Sequence, residues 1–320
     1  MSDLLLSSTA ERTYWLGRYL ERAGNTARLV SVNASLMMDL PTRLPLGWLP
    51  LVDILALGDT FTELYGVPLD ANGEATYERE VARFLLSDRR HGGSLMASLN
   101  AARENARTLR SSLPRAAFEH VNAAFLDAKE ALAEPLSRTR RTRGLQQTIE
   151  HLQQIDGFLS STMMHGGDWQ FLRLGNFIER ADMVTRLVDL RTVSLLSPDA
   201  ELDPFETIQW RSVLNAVDAM ESYTETVQQP IGQADVLEFL LKHPQLPRSL
   251  LRSLTTIRNC LRALPKNREP LAQVDNLRRQ LQRARVRTLT GERLHRWVDA
   301  RQKQLTTLHN KITNTYFPPG

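Results

Sequence analysis

The residues best suited to chemistry in this chain are a carboxylate and several arginines held in step along one helix. Glu21 adjoins Arg22, with Arg18 a turn before it and Asn25 and Arg28 in the turns after it. At 100° per residue, Tyr14, Arg18, Glu21, Arg22, Asn25 and Arg28 fall within about a third of the helix circumference and form one polar stripe. Leu16, Leu20, Ala23 and Ala27 take the opposite side. Guanidinium groups bind carboxylates and phosphates through paired hydrogen bonds, and a carboxylate among them orients an amine or, with its pKa raised, acts as a base.

The stripe occurs twice. Leu16–Ala23 returns as Leu174–Ala181, both copies continue into Arg-Leu-Val, and eight of the fifteen positions from 16 to 30 are identical. In the second copy Asn176, Glu179, Arg180, Met183 and Arg186 take the equivalent angles. Packing alone repeats leucines; it does not keep a glycine, an acid and two arginines in register. The duplication runs further: Ser94, Leu95, Ser98, Leu99, Arg103 and Arg107 match Ser249, Leu250, Ser253, Leu254, Arg258 and Arg262, and Glu63 and Tyr65 match Glu221 and Tyr223. Three readings of the stripe stay open: a structural ion-pair network, a ligand or catalytic site, and a solvated face. Arg103, Glu104, Asn105 and Arg107 are the candidate partners from a second helix. Gly24, inside the first copy and replaced by Asp182 in the second, suggests a close approach.

With 42% hydrophobic and 24% charged residues over 320 positions, the chain can bury a substantial core. No apolar run reaches the length of a membrane span, and Met1–Leu6 lacks a basic start, so a cytoplasmic protein without a membrane partner is expected. The single cysteine, Cys260, reads as a small buried side chain. The seven histidines include no His-Glu-x-x-His, so no metal site is expected, and there is no phosphate loop. His91 and His165, each before Gly-Gly, read as helix terminators rather than acid-base groups. A net charge of +4 permits anionic partners, and the basic residues cluster at Arg138, Arg140, Arg141 and Arg143 and again from Arg278 to Arg287. Neither cluster is interleaved with aromatic residues, which reads as a solvated face and disfavours nucleic acid.

The elements that must carry these residues are helices throughout. Ser8 and Glu11 form a capping box for a helix over Thr9–Met38, broken after it by Pro41, Pro45, Gly47 and Pro50. Helices are then expected over Leu51–Leu64, Tyr77–Leu86, Ser94–Leu113 and Arg115–Ala133, with a loop from Gly66 to Gly73 and a break at Pro135. The second half is expected to run as helices over Gly144–Met164, from an Asp168 cap to Leu195, Pro204–Gln228, Ala234–Leu241, Pro247–Leu264, Pro270–Arg287 and Gly291–Thr315. An all-α fold follows, a helical bundle built from two sequence-similar halves, residues 1–143 and 144–320, packed as one unit.

The run Ser8-Thr9-Ala10-Glu11 through Tyr14-Trp15-Leu16-Gly17-Arg18-Tyr19-Leu20-Glu21-Arg22-Ala23, with Asn25 and Arg28, closely resembles the opening of the bacterial alpha-E family. The Ala102–Arg107 block and the stretch from Trp169 to Arg180 are similar to that family's other signatures, and the resemblance spans essentially the whole chain. Gly24 departs from it, standing where an acidic residue is expected. The resemblance implies an all-helical protein associated with, or fused to, circularly permuted ATP-grasp enzymes, often near transglutaminase-like proteases. It therefore implies the helical partner of an ATP-dependent peptide or amide ligase acting on a small anionic peptide or amino acid. ATP and magnesium would enter through that partner, with no cofactor in this chain. Joined to the stripe, Glu21 and Glu179 become the catalytic candidates. Tyr14, Arg18, Arg22, Asn25, Arg28, Arg103, Glu104, Asn105, Arg107, Arg180 and Arg186 become the substrate-binding candidates. The alternative is a non-catalytic assembly protein that docks and stabilises the ATP-grasp chain.

Overall fold

The computed structural model describes residues 7–39, 47–66, 77–133, 136–196 and 205–318. Among them the chain is all helical, with no strand. The helices are α1 (Ser7–Asp39), α2 (Pro50–Ile54), α3 (Gly58–Tyr65), α4 (Glu78–Leu86), α5 (Leu95–Thr108), α6 (Arg115–Ala131) and α7 (Arg138–Thr162). They continue as α8 (Gly167–Leu196), α9 (Glu206–Ala216), α10 (Met220–Val227), α11 (Gln233–Lys242), α12 (Leu250–Ala263), α13 (Arg268–Arg283) and α14 (Gly291–Tyr316).

Two long helices form the centre. α1 lies against α8, α5 and α7, while α8 lies against α1, α12 and α14. α6 and α13 cover α5 with α7 and α12 with α14 respectively. Surrounded in this way, α1 is buried from Thr13 to Val30 except along one side, where Trp15, Arg18, Tyr19 and Arg22 are partly exposed, so of the three readings of the polar stripe a solvated face does not describe it.

The glycine shared by the two copies explains how the centre closes. A Cβ placed on Gly17 would lie 2.2 Å from the Leu172 carbonyl oxygen, and one on Gly175 would lie 2.0 Å from the Tyr14 carbonyl oxygen. Each glycine thus lets the backbone of the other long helix come into contact, where any side chain would push the two apart. Gly24 is different: a Cβ there meets the Arg28 guanidinium at 3.2 Å and Leu152 at 3.5 Å, both side-chain atoms. The close approach expected at Gly24 is found instead at Gly17 and Gly175.

The repeated serines begin equivalent helices. Ser94 Oγ accepts the Ala97 amide at 3.1 Å, and Ser249 Oγ accepts the Arg252 amide at 3.0 Å, one cap for α5 and one for α12. Several boundaries differ from the sequence expectations. α1 begins at Ser7, so Ser8 lies within it rather than capping it. The helix expected over Leu51–Leu64 is two, broken at Ala56, and the one expected over Pro204–Gln228 is likewise two, broken at Asp218. Both break residues adopt left-handed backbone, with φ of 55° and 50°, which no glycine or proline announced. α7 begins at Arg138, so the arginine cluster is helical and the expected boundary at 143/144 falls inside a helix. α8 begins at Gly167, placing Asp168 in its first turn. The expected breaks at Pro41, Pro45 and Pro135, and most of the loop after Gly66, lie outside the described residues. No helix among the described residues is long and apolar enough to cross a membrane.

Gly17→Ala and Gly175→Ala should each destabilise the fold by about 1–3 kcal/mol or more, because the obstacle is backbone. Gly24→Ala should be close to neutral, its packing strain offset by roughly 1 kcal/mol of helix propensity. Chemical denaturation of the three variants measures the contrast.

Candidate functional site

The two acids expected to do chemistry are both buried between α1 and α8, and each is held by arginines from the other helix. Arg180 Nε and Nη2 donate to Glu21 Oε1 and Oε2 at 3.0 and 2.7 Å. In return, Arg22 donates to Glu179 through Nε at 2.6 Å and Nη2 at 3.0 Å, and Arg18 Nε adds a bond at 2.8 Å. The pattern is reciprocal: the Glu of each copy meets the Arg that follows the Glu of the other. Bidentate guanidinium–carboxylate geometry is what permits both charges to leave water.

These contacts set the protonation states. Burial alone raises the Glu179 carboxyl, but Arg18 and Arg22 outweigh it and bring its pKa down to about 2. The same opposition, with Arg180 and Arg248 prevailing, holds Glu21 well below the usual carboxylate range. A base role for Glu21 or Glu179 required a raised pKa and a free oxygen. The arginines remove both conditions, so the carboxylates act as anchors for guanidinium groups.

Around this shared frame the two sites differ. Beside Glu179, space is filled by Tyr14, whose hydroxyl lies 2.8 Å from His309 Nδ1, with Arg18 Nη1 3.3 Å from the same nitrogen. Both neighbours are donors, so Nδ1 accepts and the ring proton resides on Nε2. Burial, reinforced by Arg18, lowers the His309 pKa to about 4, and burial raises that of Tyr14 to about 12. This site is closed.

Beside Glu21 there is a cavity of about 220 Å³, lined by Glu21, Gly24, Arg28, Asn176, Arg180 and Arg248 together with residues of α7 including Asp156. Arg248 Nη1 donates to Glu21 Oε1 at 2.7 Å. Arg28, only 5% exposed, makes weaker contacts: Nη2 to Asn25 Oδ1 at 3.3 Å and Nη1 to Asp218 at 3.5 Å, the latter carboxylate being 46% exposed. Arg28 Nε and Asn25 Nδ2 are buried with no hydrogen-bond partner. Burial, reinforced by Arg248 opposite, lowers the Arg28 pKa to about 10, leaving it a cation at neutral pH with spare donors. The second copy shows what is missing: Arg186, equivalent to Arg28, is paired with Asp182 at 2.7 Å, and Asp182 occupies the position of Gly24. Arg186 also donates to the Ile54 carbonyl at 2.6 Å, away from the cavity.

The pairing of an adjacent Glu and Arg in both copies matches an established pattern. Residues 5–317 match the Alpha-E family, described as an alpha-helical domain with a conserved ER motif. The chain belongs to the Alpha-E family. It is similar to an uncharacterized protein of Mycobacterium bovis, 25% identical over 294 residues that cover 85% of this chain and 32% of the relative. It is equally similar to two uncharacterized proteins of Mycobacterium tuberculosis, each at 25% identity with the same coverage. The chain therefore spans about a third of the length of these curated relatives. No solved structure matches it.

Arg103, Glu104, Asn105 and Arg107 do not join the Alpha-E chain's central cluster. Arg103 donates to Asn122 on α6 at 2.6 Å and pairs with Glu104 at 3.2 Å, while Arg107 Nε donates to Glu104 at 3.0 Å. Asn105 lies on the same helix, partly exposed, with its carbonyl accepting from Thr108. The repeat preserved this outer arrangement as well, for Arg258 meets Asp275 at 2.6 Å between α12 and α13. Arg248, Asp218, Asp156 and His309 were not singled out from sequence. Arg248 immediately precedes the capping Ser249 and stands where the first half has Gly93, a mismatch within a well-aligned block. His91 is structural: its Nε2 lies 2.9 Å from the Phe84 carbonyl and its Nδ1 accepts the Gly93 amide. His165 stacks on Trp169 with centroids 4.4 Å apart. Cys260 is buried, and burial raises its thiol to about 11.

Because the folded His309 pKa of about 4 lies below the ordinary 6.5, the stability from keeping His309 neutral is complete above pH 6.5. It should drain away as pH falls from 6.5 towards 4. Urea unfolding midpoints across that window should decline in the wild-type chain and decline less in His309→Gln.

Proposed function

We propose that this chain is the helical partner of an ATP-grasp-type peptide or amide ligase. In this reading the Arg28–Arg180–Arg248 pocket takes the carboxylate or acyl-phosphate end of a small peptide or amino-acid substrate. The observation that carries the substrate half is Arg28: a buried guanidinium with an unpartnered Nε, facing a cavity in which every tight ion pair belongs to its neighbours. Leaving a buried donor unsatisfied costs about 1–3 kcal/mol, a cost that an anionic ligand removes. Three guanidinium groups at one cavity suit the planar fork of a carboxylate or two oxygens of a phosphate.

Within this proposal Glu21 positions Arg180 and Arg248, and Asp156 at the rim offers an acceptor for a substrate amine. Arg18, Arg22 and Tyr14 serve the closed site and hold the fold. The ligase half of the proposal rests on the family resemblance, and the greater length of the relatives leaves room in them for a further domain. In this reading ATP and magnesium enter through the partner. A cytoplasmic setting, where ATP is abundant, belongs to the same proposal. A docking role alone, without substrate contact, predicts that the pocket is dispensable.

The test is ATP-dependent condensation by the chain and its candidate ATP-grasp partner, followed by mass spectrometry with each protein omitted in turn. Arg28→Gln should lower turnover at least tenfold while preserving thermal stability, because Arg28 holds no tight pair. Arg22→Ala should instead destabilise the chain by about 3–5 kcal/mol, since it uncovers part of the buried Glu179 charge. Full activity in Arg28→Gln would leave only the docking role.

A further inference from the structure

The arginine cluster at Arg138, Arg140, Arg141 and Arg143 plays no part in the pocket above, and its placement is energetically awkward. It occupies the opening of α7, a helix with no acidic residue in its first turn. A helix N-terminus carries partial positive charge, so cations there are disfavoured. Nearby, α4 starts after Tyr77, which is in left-handed backbone at φ 47° and supplies no side-chain cap, and carries Glu78 and Glu80 in its first turn, while Ser137 Oγ caps α7 by accepting the Arg140 amide at 3.3 Å.

Between these two helix starts is a cleft of about 350 Å³, lined by Glu78, Arg79, Glu80 and Arg83 of α4 and by Arg138 and Arg141 of α7, with Tyr77, Ala82 and Leu136. Arg141 is 5% exposed, lies over the Trp48 ring with its guanidinium carbon 4.9 Å from the centroid, and keeps a buried Nε with no partner. The cation–π contact fixes the plane of that guanidinium without using its hydrogen-bond donors. Glu78 is the internal counter-ion: Arg141 Nη2 donates to its Oε1 at 2.6 Å and Arg138 Nε to the same oxygen at 3.0 Å. Arg140 turns away to the Glu130 carbonyl. The lining therefore holds the side chains of four arginines against those of two glutamates, an excess of two positive charges beside two helix N-termini.

We propose that this cleft binds a phosphate-type dianion. A dipole of the right sign, forked guanidinium donors and the unpartnered Nε of the buried Arg141 are the elements that would hold a tetrahedral dianion. Two units of excess charge match the ligand, and Glu78 occupies the oxygen positions that the ligand would use in part. The cleft is separate from the Arg28 cavity and shares no lining residue with it.

The experiment is calorimetric titration of the full chain with inorganic phosphate and with pyrophosphate, performed on the Arg28→Gln background so that the other pocket does not contribute. One saturable site is expected. Adding Arg138→Gln, a change at a side chain 76% exposed, should weaken it by about tenfold or more, whereas adding Glu78→Gln should tighten it by removing the competing carboxylate. Circular dichroism of each variant checks that the helices remain. Absence of saturable binding, or affinity unmoved by Arg138→Gln or Glu78→Gln, would overturn the proposal.

Discussion

The structure depends on a constraint that two carboxylates impose. Glu21 and Glu179 lie at the crossing of α1 and α8, where an uncompensated charge would cost several kcal/mol. Each finds its bidentate guanidinium on the facing helix, at the position next to that helix's own glutamate, with Arg248 adding a bond to Glu21 and Arg18 one to Glu179. Reciprocal pairing therefore fixes both the register of α1 against α8 and their separation. Gly17 and Gly175 supply the separation, since the bidentate bonds close at 2.6–3.0 Å only because the two backbones touch. Acid, arginine and glycine are one device, and this accounts for their joint retention in the two copies.

A duplicated device need not have duplicated surroundings. At Glu179 the neighbouring positions carry Arg18, Tyr14 and His309, which fill the space and satisfy one another. At Glu21 the corresponding helix position carries Asn176, and Gly24 replaces the acid that Asp182 provides in the other half. Losing that acid releases Arg28, whereas Arg186 stays tied to its own helix. A glycine in place of a carboxyl side chain leaves volume and a weakly paired cation at the same point. Gly24, where the second copy has Asp182, thus accounts for both features on which the proposed anion pocket rests, while the site at Glu179 shows the arrangement without them.

The helical architecture was legible because long amphipathic stretches and repeated capping serines state it locally. The duplicated Glu-Arg segment was legible as a constraint, but its partners were not: Arg103 and Arg107 share the repeat yet belong to an outer helix pair, and only three-dimensional crossing reveals that Glu21 meets Arg180. Two helix breaks escaped notice because Ala56 and Asp218 adopt left-handed backbone without being glycine. Arg248 was invisible for a related reason, lying far along the chain and reaching Glu21 only through tertiary packing. Conversely, the base role inferred for the glutamates followed from residue type, and the surrounding guanidinium groups, which reverse the pKa direction, could not be assigned from spacing.

Of the two matched carboxylate–guanidinium sites, one is filled and the other retains an arginine with donors to spare. Arginine Nε–H resonances, assigned by NMR and followed while a small dicarboxylate such as glutarate is titrated in, report on it directly. A saturable shift of the Arg28 signal is expected, with Arg18 and Arg22 unmoved. Equal shifts at Arg18 and Arg22, or a silent Arg28, would contradict it.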